Sequence, residues 1–567
     1  MALNDAPRLI QIKCPPHVHN VKIMTLSAQI KTLVLCFIPV AFLASCVIVW
    51  PDNSLDWDMQ RYITQVKLSG TGDHSFSYQH NLLKTWLYNA SKLVQLLTGE
   101  FSPLFGARLL TICAATLASF FAALTTLSIT RSLFVSVLAG WLWFLLPGNV
   151  LMMTNLEDNA WSNAFNAAFL FALCSASSVT LPFAGERKRR PIIWSAVAGA
   201  ILAIGINIHQ QLALLFWAFI GLIVFSYDAD QPPAKRVGRV AFAVITFIAV
   251  YAGLSFIQNK LVFDSWEVKA SLIRLYDQPY AKTYPNLWFF TADESIADWL
   301  GRITLGWRRL LMLSASAPLV FYYIAAPILG ASVALLLVIS RWRGTLLFLC
   351  ETRTLLWLCA VCAVFIPYSL LYEPENPERW DSILPGLIVL ACVLFFYSYK
   401  RIPANIYIHP RFVRDIAIRD VFAALLVASL LGSTVQVYFY VSKAHAGFIS
   451  GRPVKEVTAM LEHLSKTSDV SEDHVVLCSQ ALIESDVQIR LSYYFPRVTV
   501  ITLDKKLRPL YTSHSLQLRP DIAGDALANM NFGTNAHFSA ADDVYQSVQA
   551  HMPEFLAQHQ VDKVMSQ

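Results

Sequence analysis

Residues 31–62 read KTLVLCFIPVAFLASCVIVWPDNSLDWDMQRY. The uncharged run that begins after Lys31 is long enough to cross about 30 Å of hydrocarbon as a helix. Because it starts so late and is so long, it reads as a retained membrane anchor and not as a cleaved leader. Acids appear as soon as it ends, in Asp56-Trp57-Asp58-Met59-Gln60-Arg61-Tyr62. At helical spacing Leu55, Met59, Tyr62, Ile63 and Val66 share one face, and Asp58, Arg61 and Gln65 share another. That pattern predicts an amphipathic helix in the membrane interface, with its carboxylate turned away from lipid. A second such helix follows, with Leu83, Trp86, Leu87, Ala90, Leu93, Val94 and Leu97 on its apolar face and His80 at its start.

The rest of the chain repeats this alternation of apolar run and polar connection. Of 567 residues, 56% are hydrophobic and 14% charged, against roughly 45–50% and about 25% in soluble domains. Such a composition excludes a soluble enzyme, a disordered chain and a fibre. The net charge of +6 comes from basic residues clustered between apolar runs, which favours membrane orientation over nucleic-acid binding. The 10 cysteines lie mostly within apolar runs and read as small buried hydrophobes. The one Cys-x-x-Cys, Cys359 with Cys362, has neither a second pair nor a histidine beside it.

About eleven spans are expected, centred near Ala41, Leu117, Gly140, Leu170, Ala200, Phe219, Ile248, Ala326, Ala363, Ile388 and Ala428. Arg8, Lys13, Lys22 and Lys31 precede the first. Arg131, Arg187–Arg190, Lys235, Arg236, Arg239, Arg341, Arg343 and the run from Lys400 to Arg419 follow even-numbered spans. All therefore fall on one side, which the positive-inside rule makes the cytoplasm. The expected location is the inner (plasma) membrane, multi-pass, with a cytoplasmic N-terminus.

The acids gather on the other side, where ionisable groups in a membrane protein are solvated or used. Asp56 and Asp58 follow the first span, Glu157 and Asp158 the third, and Glu373–Asp381, with Glu378 and Arg379, the ninth. His209 sits between the fifth and sixth. Several polar groups on one face suggest a shared cavity. Residues 1–441 form the expected transmembrane domain, and 442–567 a small extracytoplasmic α/β domain. Strand-like Val475–Cys478 and Val498–Leu503 alternate there with helix-like Val454–Leu464 and Glu484–Leu491.

At Asp58–Tyr62 the chain resembles the GT-C superfamily of membrane glycosyltransferases, and looks most like the branch holding the aminoarabinose transferases and protein O-mannosyltransferases. In that branch an Asp-Glu pair followed closely by Arg-Tyr opens the first extracytoplasmic loop, and the Asp is catalytic, so the resemblance gives that role to Asp58. Where those proteins carry a Lys- or His-Pro-Pro-Leu stretch that helps bind the lipid phosphate, this chain has Gln79-His80-Asn81-Leu82-Leu83, which makes His80 the counterpart. Arg108 resembles a frequently basic position. Met59 replaces the second acid and Asn81 a proline, and Asp56 is the nearest acid to stand in. The likeness covers about the first two-thirds of the chain as an architecture.

The resemblance implies transfer of a sugar from a polyprenyl-phosphate donor to an extracytoplasmic glycolipid, polysaccharide or protein, as an inverting displacement. Asp58 would be the base, and His80, Arg61, Arg108 and Arg379 would hold the donor phosphate. Asp56, Tyr62, Glu157, Asp158, His209 and Glu378 would line the cavity. Asp56 with Asp58, or Glu157 with Asp158, offers oxygen ligands that suit Mg²⁺ or Mn²⁺. The rival reading is a lipid or saccharide flippase, which would place ionisable residues mid-span around broken, repeated helices.

Overall fold

The computed structural model describes residues 81–145, 159–176, 191–219, 233–263, 295–310, 361–371 and 374–401, single positions 34, 35, 41, 59, 62, 63, 66 and 358, and short strands between 407 and 563. Among these residues the architecture is a helical bundle followed by a sheet. The helices are α1 (Asn81–Thr98), α2 (Pro103–Thr130), α3 (Leu133–Leu145), α4 (Asn159–Ala176), α5 (Pro191–Ile208), α6 (Pro233–Phe263), α7 (Ile296–Leu310), α8 (Ile366–Leu371), α9 (Pro377–Asp381) and α10 (Leu384–Arg401). By length and composition, Pro103–Thr130, Val237–Ile257 and Arg379–Phe396 can each cross a membrane. Leu133–Phe144, Ile192–Ile208 and Val361–Leu371 are shorter and apolar. The expected spans centred near Ala326 and Ala428 lie outside the described residues. The sixth opens differently from expectation, as a 3-10 helix over Gln210–Trp217.

α4 is the centre of the bundle. Every side chain in it but Phe165 is buried, the polar Ser162, Asn163 and Asn166 included. It packs against α2 and α5. α2 starts cleanly, with Pro103 in the first turn and the Ser102 hydroxyl accepting from the Phe105 N–H at 3.4 Å. Its Gly106, Ala107, Ala114, Ala115, Ala118 and Ala122 are buried, and small residues let helix backbones approach closely. Two hydroxyls cross to and from α3: Ser119 Oγ donates to the Gly140 carbonyl at 3.0 Å, and Ser136 Oγ to that of Ala123 at 2.8 Å. Inside a bilayer such bonds satisfy groups that water cannot reach.

Arg239 of α6 is buried and donates to the Ala176 carbonyl at 3.3 Å, closing the C-terminus of α4. The start of α6 and the end of α4 thus share one end of the bundle, as the alternation of spans requires. α6 leans on α5 where Gly199 meets the Ala243 carbonyl. A Cβ on Gly199 would strike that oxygen. Gly199→Leu is therefore expected to destabilise by about 1–3 kcal/mol or more. Gly238→Ala, whose Cβ meets nothing within 4 Å, should be neutral or slightly stabilising; thermal unfolding in one detergent compares the two.

Cys174, Cys362 and Cys392 are buried and form no disulfide with one another, as their apolar surroundings suggested, whereas Cys113 is exposed. Cys359 lies outside the described residues. After α10, β1 (Tyr407–Ile408) pairs antiparallel with β2 (Ile416–Ala417) in a stretch read from sequence only as a basic loop. β3 (His474–Ser479), β4 (Thr499–Leu503), β5 (Pro509–Thr512), β6 (Asn535–Phe538) and β7 (Asp562–Lys563) form a sheet in the order β5-β4-β3-β6-β7. It is parallel except for the antiparallel β4–β5 pair. β3 and β4 coincide with the two strands read from the sequence. The tail helices expected at Val454–Leu464 and Glu484–Leu491, and the boundary at 442, lie outside the described residues.

Candidate functional site

The helical face drawn from sequence around Asp58 is present at Met59, Tyr62, Ile63 and Val66, all helical and all buried in the main core. The expectation that this face lies against lipid is corrected: it packs on protein. α1 differs from its expected face too. Leu83, Leu87 and Val94 are buried, but Leu93 and Leu97 are exposed. The stripe that meets the core runs Lys84, Leu87, Ser91, Val94, at i, i+3, i+7 and i+10. Ser91 seats this stripe on α2, because a Cβ at Gly106 would lie 2.8 Å from its hydroxyl.

Lys84 is thereby wholly buried, at 0% exposure, with its ammonium 5.1 Å from the centre of the Tyr62 ring. That distance is within cation–π range. A buried ammonium is stable only among groups that favour its charge. Lys84 was missing from the sequence reading, because a lysine beside leucines on an amphipathic helix reads as the polar side. The signal that could have found it is its place in register with Leu87, Ser91 and Val94.

Next to Met59 and Leu83 runs a narrow crevice with room for about one water molecule, lined by Met59, Leu83, Leu87, Ala107, Leu110, Thr111 and Trp161. Arg108 flanks it on α2, half-buried. Trp161 belongs to the first turn of α4 and packs edge-on against Trp86, ring centres 4.8 Å apart. Its indole N–H is buried and meets no acceptor among the described residues.

The next residues of α4 grip a second group. Asn163 Nδ2 donates to Asp381 Oδ2, Asn166 Nδ2 to the Ser382 carbonyl, and the Ser162 and Ser382 hydroxyls lie 3.5 Å apart. Two donors converge on the Arg379 carbonyl, Gln211 Nε2 at 3.1 Å and Ser369 Oγ at 2.5 Å. His209, buried, stands at the start of the 3-10 helix that carries Gln211. The acidic segment expected to help line a shared cavity is a built turn. α9 is strapped to α4, α8 and the 3-10 helix, and Asp381 is only 2% exposed. The Trp380 indole caps the Pro374 carbonyl at 2.8 Å. The amide oxygens of Asn163, Asn166 and Gln211 are buried and accept no hydrogen bond among the described residues. Asn163→Ala removes a donor from a buried carboxylate and should destabilise by about 1–3 kcal/mol. Asn166→Ala removes a donor only from a carbonyl and should do less; chemical unfolding ranks them.

Successive residues at the start of α4 therefore touch both groups: Trp161 the Met59–Leu83 crevice, Ser162 and Asn163 the Arg379–Ser382 segment. Tyr62, Arg108, His209 and Arg379 are described. Asp56, Asp58, Arg61, His80, Glu157 and Asp158 lie outside the described residues, as does the side chain of Glu378. The acids named as possible ligands of a divalent cation are among these. Among the described residues no three His, Cys, Asp or Glu side chains gather.

No known protein-family profile matches the chain, and no curated protein matches it. Solved structures do. The chain is similar to the Archaeoglobus fulgidus oligosaccharyltransferase complexed with Zn and sulfate, at 11% identity and TM-score 0.46 over 82% of this chain and 62% of that one. It is also similar to ArnT from Cupriavidus metallidurans bound to undecaprenyl phosphate, at 12% identity and TM-score 0.48, over 84% and 86% of the two chains. A third is the oligosaccharyltransferase AglB from Archaeoglobus fulgidus with an inhibitory peptide and a dolichol-phosphate, at 12% identity and TM-score 0.47, over 83% and 64%. The chain spans less than two thirds of the archaeal proteins it matches.

Proposed function

We propose that this chain is an integral-membrane glycosyltransferase that takes a sugar from a polyprenyl-phosphate carrier and transfers it to an extracytoplasmic acceptor. The observation that carries this reading is the join made by α4. Trp161, Ser162 and Asn163 bring the packed face around Met59, next to Asp58 in sequence, to the same end of the bundle as the turn bearing Arg379. Beside that face lies a buried ammonium, Lys84. Displacement of a lipid phosphate requires a base and cations gathered at one end of such a bundle.

In the proposed reaction Asp58 accepts the proton of the acceptor hydroxyl as its oxygen bonds to the anomeric carbon. The bond from that carbon to the phosphate oxygen breaks with inversion, and polyprenyl phosphate leaves as an anion. Lys84, His80, Arg61, Arg108 and Arg379 are the cations offered to that anion, so it leaves without a proton. The buried amide oxygens of Asn163, Asn166 and Gln211 suit sugar hydroxyls, which donate. If a divalent cation takes part, Asp56 and Asp58 would hold it and it would supply further charge to the phosphate; every step above is carried by the chain's own residues.

Mass spectrometry of envelope glycans tests this, comparing cells with the gene, without it, and with Asp58→Asn in its place. A glycan or glycolipid should lose the mass of one sugar in both altered strains. Identical spectra in all three would overturn the reading.

A further inference from the structure

The mechanism makes no use of α7, yet its faces are sharply divided. Its start is set within the chain. The Ser295 hydroxyl accepts from the Asp298 N–H at 3.2 Å, and the Asp298 carboxylate accepts from the Ser295 N–H at 3.3 Å, a reciprocal cap. One stripe then binds protein. The Trp299 indole donates to the Leu370 carbonyl at 3.0 Å, Arg302 pairs with Glu375 at 2.8 Å, and a Cβ on Gly306 would strike the Pro374 carbonyl. Trp307 lies 5.1 Å from Trp380, ring centre to ring centre.

At 3.6 residues per turn, the neighbouring stripe is Ile296, Leu300, Ile303 and Trp307, of which Ile303 and Trp307 pack against the core and Ile296 and Leu300 face outward. Ile296 is 68% exposed and Leu300 52%. An apolar stripe held out by a helix so firmly docked needs an occupant. At 15 residues α7 is about 22 Å long, too short to span, and it carries Asp298, Arg302, Arg308 and Arg309. A second copy of the chain is a poor occupant, because two exposed side chains fall far below the roughly 800 Å² per partner of a stable interface. A bilayer has no such threshold. The chain already offers apolar surface of this kind on α6, at Phe242, Ile245 and Ile248. A short helix with one apolar stripe, tryptophans beside it and charge elsewhere is the sequence form of an interfacial helix.

We propose that α7 is a membrane-surface helix whose Ile296–Leu300 stripe rests among lipid headgroups and the first acyl carbons. Through Arg302–Glu375 and Trp307–Trp380 it ties the segment bearing Arg379 to that surface. The readout below is position and not turnover, so it stands or falls apart from the transferase reading.

The test uses the full chain in nanodiscs of phosphatidylethanolamine and phosphatidylglycerol, with a nitrobenzoxadiazole fluorophore on Leu300→Cys. Leu305→Cys, on the opposite side of the helix, is the control, and signal from native thiols is subtracted using the unsubstituted chain. The label at 300 should shift to the blue and lose intensity to lipids spin-labelled at acyl carbon 5, and the label at 305 should do neither. Equal responses at the two positions would overturn the proposal. So would a response at 300 that follows the number of chains per disc instead of the spin-labelled lipid. Ile296→Cys repeats the measurement should Leu300→Cys elute as misfolded.

Discussion

Asp58→Asn is expected to reduce sugar transfer by about 10²–10⁴-fold, the share a positioned general base contributes, while the protein elutes and melts as the parent does. The substitution keeps the size of the side chain and its ability to hydrogen-bond, and removes only its capacity to take a proton. The residues that follow it in sequence are anchored independently, since Met59, Tyr62, Ile63 and Val66 are buried against the core. Turnover of purified protein with a polyprenyl-phosphate sugar is the measurement, and parental turnover by the variant would remove Asp58 from the chemistry.

Lys84→Met is expected to reduce transfer by about 10²–10³-fold, the range seen when one preorganised donor to a developing oxyanion is removed. Methionine keeps the unbranched shape inside the core and deletes the charge. A purely structural lysine would show its loss in the thermal midpoint, with the folded fraction turning over normally. A lysine that serves the leaving phosphate shows the reverse split, and Lys84→Arg should recover part of the rate. Donor titrations across the three proteins separate these outcomes, and unchanged turnover by the folded methionine variant would exclude Lys84 from the phosphate site.

Much of the bundle was legible because long uncharged runs have few alternatives to helix. The runs around Leu117, Gly140, Leu170, Ala200, Ile248 and Ile388 are helical. The Met59–Val66 face was legible because four apolar residues at helical spacing leave one burial solution, although what covers it, protein instead of lipid, depends on distant segments. The misses share a cause. Lys84, Asn163 and Asp381 are polar residues buried by partners far away in sequence, 218 positions apart for Asn163 and Asp381. A local pattern assigns such residues to solvent by default. Leu93 and Leu97 are exposed, which an amphipathic helix in the interface allows; the departure on that helix is the burial of Leu83, Leu87 and Val94 against protein. The 3-10 form of Gln210–Trp217 has no signal in its composition, being as apolar as the helices around it.

The position of α6 bears on how this protein should be handled. Its apolar window is only 11% buried by the rest of the chain, and its tight contact is the Gly199–Ala243 crossing. What a soluble helix obtains from a core, this one must draw from its solvent, so amphiphile chain length enters its thermodynamics directly. Short-chain detergents should loosen this outer helix before the centre of the bundle gives way, and a melting curve would then report the choice of micelle as much as the amino-acid sequence.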